Sequence, residues 1–132
     1  MTYLLDTNTC IFIMKQMPNV VERFRYARNE GIAISSITLA ELEFGVSNSK
    51  ACVRNRNSLL AFSTLVEILL FDALASAEYG RVRTALEKAG TPIGALDTLI
   101  AAHAKSLNLT LVTNNIREFQ RVEGLLIEDW LT

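Results

Sequence analysis

Short apolar runs alternate along the chain with longer stretches in which apolar residues recur every three or four positions. The short runs Tyr3–Leu5, Ile32–Ser35, Glu67–Phe71 and Thr110–Thr113 predict strands, with a weaker one near Leu125–Glu128. Their apolar character at both alternating positions marks strands covered on two faces, which is the pattern of a parallel sheet. The longer stretches predict helices over Thr9–Lys15, Asn19–Arg28, Thr38–Ser47, Arg54–Val66, Leu74–Lys88 and Leu96–Ser106, and a short one over Asn115–Phe119. Gly31, Gly90 and Asn108 stand where helices stop, in keeping with their tolerance of positive φ. The order predicts an α/β fold: a three-layer α/β/α domain with right-handed crossovers around a central, mainly parallel sheet of four or five strands. No repeat, low-complexity tract or linker interrupts it, so residues 1–132 read as a single domain.

Composition narrows the class. Half of the 132 residues are apolar and a fifth are charged, which suits a packed core and excludes a disordered chain. The apolar stretch Cys10–Met14 is far too short to cross a bilayer and lacks the flanks of a signal peptide. A cytoplasmic protein without membrane association is expected. Cys10 and Cys52 have no metal-ligand spacing, and both are expected to be reduced thiols. The net charge of −1 argues against a protein that coats nucleic acid without regard to sequence.

Polar residues follow the strands in a pattern. Asp6 comes directly after the first strand, and Glu41 lies six residues after Ser35, early in the next helix. Asp97 opens the helix before the fourth strand, and Asn114 and Asn115 follow that strand. In an open α/β sheet the usable crevice lies beyond the carboxyl ends of the strands, and these side chains gather there. Three carboxylates at one edge repel one another unless protons or a cation intervene. Hard oxygen donors suit Mg²⁺ or Mn²⁺, which can activate a water and stabilise charge on a phosphate under attack. Hydrolysis of a phosphodiester fits this donor set best.

Each of these residues also has a structural reading. Asp6 can cap a helix starting near Thr9. Thr38 to Glu41 and Asn115 to Glu118 both have capping-box spacing, and Asp97 can complement a helix N-terminus. Capping does not explain why all of them fall at one end of the sheet. His103 is the only histidine. It lies about 240° around the helix and about 9 Å along it from Asp97, so it reads as a packing or surface residue. A mechanism based on paired histidines is excluded, and neither a nucleophile elbow nor a P-loop is present.

The segments "LLDTN" (4–8), "ISSITLAELEFG" (34–45), "GTPIGALDTLIAAHAKSLNLTLVTNN" (90–115) and "REFQRVEGL" (117–125) occur in an order that resembles the PIN-domain ribonucleases. Among these, the chain is most similar to the VapC toxins of VapBC toxin–antitoxin systems. The resemblance implies a metal-dependent endoribonuclease that inhibits translation and is neutralised by a VapB-type antitoxin, with a toxin homodimer inside the complex. It implies that Asp6, Glu41 and Asp97 form the acidic Mg²⁺ or Mn²⁺ site. Thr7 and Asn8 belong to the first motif, and Thr113 supports the site by hydrogen bonding. The family usually has a further Asp where this chain has Asn115, and Glu118, one turn on, is a candidate for the missing charge. Likeness to the enterobacterial group, carried by "DTNTCIF", "TPIG" and "VTNNIREFQRV", implies a tRNA anticodon stem–loop as substrate, with initiator tRNA foremost.

Clustered cations offer a way to hold RNA in a net-acidic chain. Lys15, Arg23, Arg25, Arg28, Arg54, Arg56, Arg81 and Arg83 can rim the acidic cleft and bind phosphates, or they can be solvated helix faces. Two other classes compete with the nuclease. Asp6-Thr7-Asn8-Thr9 approximates the D-x-D-x-T motif of a haloacid-dehalogenase-type phosphatase with Asp6 as nucleophile, although Asn8 cannot act as its general acid. A non-catalytic binding module would use the acids only as caps or as a dock for a basic partner.

Overall fold

Leu4 and Leu5 point to opposite faces of the first strand, and a core is built on each side. The structure is a computed structural model that describes residues 1–132. Its strands are β1 (Tyr3–Leu5), β2 (Ile32–Ser35), β3 (Glu67–Leu69), β4 (Thr110–Val112) and β5 (Ile127–Glu128). They form one sheet in the order β3-β2-β1-β4-β5, parallel throughout. The helices are α1 (Thr7–Met14), α2 (Pro18–Ala27), α3 (Ser36–Ser47), α4 (Cys52–Ser63), α5 (Ala73–Lys88), α6 (Ala95–Ser106) and α7 (Ile116–Phe119), with a 3-10 turn over Arg28–Glu30.

On one face Leu5, Ile34 and Val112 pack against Cys10, Ile13, Val20, Phe24, Leu42 and Phe62 from α1 to α4. On the other face Leu4, Ala33 and Leu111 pack against Val82, Leu86 and the small residues Ala101, Ala102 and Ala104 of α5 and α6. The registers Leu4↔Ala33 and Leu4↔Leu111 keep each set on its own side. Both faces are therefore covered, as the doubly apolar strands require.

The chain leaves β1 toward β2 and β3, then returns across α5 and α6 to β4 on the other side of β1. The carboxyl end of β1 is thus the switch point of the sheet, where open α/β folds place their ligands.

Several element boundaries differ from the sequence reading for local reasons. Helix α1 begins at Thr7 rather than Thr9 because Asp6 caps it at once, its Oδ1 accepting from the Thr9 amide at 2.9 Å. Helix α3 begins at Ser36 because Ser35 is the cap, its Oγ accepting from the Ile37 amide at 3.1 Å. Pro18 opens α2, where its missing amide hydrogen costs nothing. Strand β3 is shorter than expected, ending at Leu69; Leu70 beyond it is exposed. Gly31, Gly90 and Asn108 do adopt positive φ, at 87°, 71° and 55°. Cys10 is buried, Cys52 is exposed and both are free thiols. No helix is long and apolar enough to cross a membrane.

Candidate active site

Asp6 leaves β1 into a buried position, with 4% of its surface exposed. Its backbone amide donates to Val112 O at 3.0 Å, which continues the sheet ladder one residue past the strand. Burial raises the Asp6 carboxyl above its ordinary range, opposed by the nearby Thr113 hydroxyl and the Thr9 amide, while the Thr9 hydroxyl donates to Val112 O at 3.1 Å. Thr9 and Thr113 are themselves buried. Thr113 Oγ1 also accepts from the Asn115 amide at 2.9 Å, which leaves its hydroxyl hydrogen for Asp6.

Glu41 lies on the second turn of α3, because Ser35 and not Thr38 caps that helix. The capping-box reading of Thr38 to Glu41 is corrected accordingly: Thr38 Oγ1 is buried without a partner, and Glu41 Oε1 accepts from Thr7 Oγ1 at 2.6 Å. Thr7 and Glu41 are joined across two elements, whereas Asn8 is exposed on the first turn of α1.

Asp97 stands in the first turn of α6, whose cap, Gly94, has no side chain to offer. Its carboxyl is pushed up to about 6 by burial first, then by the negative charges of Glu118, Asp6 and Glu41 in that order. The charges of acids on α7, after β1 and on α3 therefore all reach Asp97 at the switch point. Glu118 is held by Asn115, whose Nδ2 donates to Glu118 Oε2 at 2.9 Å. The capping box expected there is not formed as such, since the Asn115 side chain caps no backbone amide.

No three carboxylate, imidazole or thiol groups stand close enough to make a direct ligand set. The donors still fit a hard, hydrated cation. Mg²⁺ needs one or two carboxylates and keeps several waters, and it would offset both the burial of the Asp97 carboxylate and the negative charges of Glu118, Asp6 and Glu41 that reach it.

One further acid acts here. Asp129, directly after β5, adds its negative charge to the environment of Asp6. The rule that singled out Asp6, an acid immediately following a strand, finds Asp129 as well. The cations are less uniform than their clustering suggests. Arg23 pairs with Glu128 at 3.3 Å, Arg56 with Glu43, Arg81 with Glu78 at 2.6 Å and Arg83 with Glu87 at 2.8 Å. Lys15, Arg25, Arg28 and Arg54 have no carboxylate within salt-bridge reach, and Lys15 lines the same hollow as Glu41. His103, expected in packing or at the surface, is buried, with 1% exposed.

Residues 3–125 match the model of the PIN domain. The chain belongs to the PIN-domain family. This PIN domain is 47% identical to Ribonuclease VapC2 of Rickettsia felis, over 98% of each chain. It is 45% identical to the tRNA(fMet)-specific endonuclease VapC of Salmonella typhimurium, over 97% of each chain. Its fold superposes on a crystal structure of VapBC2 from Rickettsia felis bound to a promoter DNA fragment, with a TM-score of 0.95 and 44% identity over 98% of this chain and 99% of that one. DNA-bound VapBC from Salmonella typhimurium matches with a TM-score of 0.94 and 44% identity over 98% of both chains. Within the PIN-domain family it stands with the VapC ribonucleases, and the phosphatase built on Asp6-Thr7-Asn8-Thr9 is set aside.

Proposed function

We propose that this PIN domain is the endoribonuclease toxin of a type II toxin–antitoxin pair, which cleaves a tRNA anticodon stem–loop, initiator tRNA first, and so stops translation in the cytoplasm. Its likeness to VapC ribonucleases, one of them specific for tRNA(fMet), supports the substrate class. The observation that carries the site is the placement of Asp6 directly after β1, Glu41 on α3 and Asp97 in the first turn of α6 at one edge of the sheet, where the negative charges of Glu118, Asp6 and Glu41 add to the rise that burial gives the Asp97 carboxyl.

Asp6, Asp97 and Glu41 would hold Mg²⁺ or Mn²⁺, directly or through water; such an ion supplies a nucleophilic water and neutralises charge on the phosphate. The chain's own residues do the remaining work. Thr113 and the Thr9 amide fix the Asp6 carboxylate. Thr7 fixes one oxygen of Glu41, which leaves the other to orient a water for in-line attack on phosphorus. The products are a 5′-phosphate and a 3′-hydroxyl. Asn115 is neutral where the family usually has Asp, and Glu118 supplies the missing charge; its effect on Asp97 exceeds that of Asp6 or Glu41. Phosphates of the RNA are held by Lys15, Arg25, Arg28 and Arg54, the members of the sequence clusters that make no internal ion pair.

The partner is a VapB-type antitoxin, and the toxin forms a homodimer within their complex. A hollow of about 280 Å³ lined by Ile11, Met14 and Leu42, with Lys15 and Glu41 at its polar side, suits an apolar antitoxin segment that stops next to the acids. Incubation of initiator tRNA with the toxin, with and without antitoxin, tests the assignment. Cuts confined to the anticodon stem–loop and suppressed by antitoxin are expected. A chain that binds RNA but never cuts it would instead be the binding module.

A further inference from the structure

His103 is buried in the middle of α6, six residues beyond Asp97, and its ring Nδ1 lies 2.8 Å from Ser35 Oγ. Ser35 is fully buried too, at the junction of β2 with the helix that carries Glu41. Its oxygen already accepts the Ile37 amide hydrogen as the cap of α3. The next residue is tied in the same way, with Ser36 Oγ accepting from the Phe71 amide at 3.0 Å. The Phe71 ring in turn meets the His103 ring edge to face, with centroids 5.3 Å apart. Ser35, His103, Phe71 and Ser36 therefore form a closed ring of contacts that joins α6, the start of α3 and the segment after β3.

We propose that His103 is a positioning residue of the nuclease: through Ser35 it fixes helix α3, which carries Glu41, against helix α6, which carries Asp97. The inference rests on the assignment of those two acids to the reaction. The two helices are separated by 47 residues of chain and carry acids that must keep a set spacing for one water to be oriented between them. Neither acid touches His103. The link acts through the cap of one helix and the body of the other.

Proton inventory assigns the direction of the bond. With its lone pair engaged by Ile37, the buried Ser35 hydroxyl needs an acceptor for its hydrogen, and Nδ1 is the acceptor within reach. The imidazole is then neutral, with its hydrogen on Nε2. A protonated ring would place two donors on Ser35 Oγ and leave the hydroxyl hydrogen without a partner. Burial favours the neutral ring as well, opposed by the negative charge of Asp72 at the cap of α5.

The test combines the tautomer with three variants. In ¹⁵N spectra of the imidazole in the intact toxin, the neutral Nε2–H form is expected at pH 7; an Nδ1–H tautomer or a charged ring overturns the proposal. His103→Leu removes the acceptor, His103→Gln offers a polar group only near the Nε2 position, and His103→Asn restores one near Nδ1. For the Leu and Gln variants kcat is expected to fall by on the order of tenfold to a hundredfold with KM unchanged, while Asn stays within a few-fold of the parent. Parent-like kcat in Leu and Gln, or a change confined to KM, overturns it. If the variants do not fold, the tautomer decides. Glu41→Gln, assayed alongside, keeps the two ideas apart: full activity there removes the site assignment, whatever the imidazole shows.

Discussion

The Thr7 hydroxyl donates to Glu41 Oε1 over 2.6 Å, and this bond joins the first turn of α1 to the second turn of α3. The two residues are 34 positions apart in the chain. The bond holds one carboxylate oxygen, and the other takes part in no hydrogen bond within the chain. Thr7→Val keeps the side-chain shape and removes the donor. Cleavage is expected to slow by about tenfold or more, because a charge-assisted bond at a reacting carboxylate contributes roughly 1.5–3 kcal/mol. Single-turnover rates on tRNA measure this; an unchanged rate would show that Glu41 needs no such anchor.

Asp6 both caps α1 and contributes a buried charge, and two substitutions separate these roles. Asp6→Asn keeps an acceptor for the Thr9 amide and removes the charge that burial disfavours, so its melting temperature in metal-free buffer should equal or exceed that of the parent. Asp6→Ala also loses the cap, at a cost of about 1 kcal/mol relative to Asn. Neither variant should cut RNA. A lower melting temperature for Asp6→Asn than for Asp6→Ala would reverse the order of the two effects.

Asp97 gives the metal-free protein a pH dependence of known sign. Its carboxyl rises from 3.8 to about 6 in the folded chain, through burial and then the charges of Glu118, Asp6 and Glu41. The folded state therefore binds the proton more tightly than the unfolded state. This contribution favours folding at acid pH, is lost as pH rises through the window from 3.8 to about 6, and is gone above it. The melting-temperature difference between Asp97→Asn and the parent should grow in favour of the variant from pH 4 to pH 7. Added Mg²⁺ should stabilise the parent more than the variant at pH 7. A difference that does not vary with pH would place Asp97 outside the cluster.

The fold was legible because the strands are apolar on both faces: Tyr3–Leu5 and Ile32–Ser35 stand where the pattern puts them. The positions of Asp6, Glu41 and Asp97 relative to the strand ends followed from the same pattern, since chain order alone brings them to one edge. Helix starts were harder. The spacing of Thr38 and Glu41 points to a start at Thr38, whereas Ser35 is the cap and also meets His103 of α6, a contact that leaves no trace in the local pattern. The ion pairs of the arginines were not legible for a related reason. Glu43, Glu78, Glu87 and Glu128 are separated from their partners by a helical turn or by a whole fold, and the second kind of pairing leaves no periodic trace.

Lys15 and Arg81 provide a direct comparison of the cations. Lys15 shares a hollow with Glu41, whereas Arg81 is bonded to Glu78 on its own helix. Lys15→Glu should weaken binding of a catalytically silenced toxin to tRNA and reduce the slope of affinity against salt by about one. Arg81→Gln should leave both nearly unchanged. Fluorescence titrations at several salt concentrations read the two slopes, and equal effects would mean that the internal ion pairs do not select which cations meet RNA.

The proposed function requires carboxylates at the end of β1 to cut RNA with the help of a divalent cation. The decisive measurement is incubation of end-labelled initiator tRNA with the metal-free toxin over a Mg²⁺ titration. No cleavage is expected in excess EDTA, with recovery on added Mg²⁺ of a cut that leaves a 5′-phosphate. Undiminished cleavage in EDTA would mean that these acids do not act through a metal.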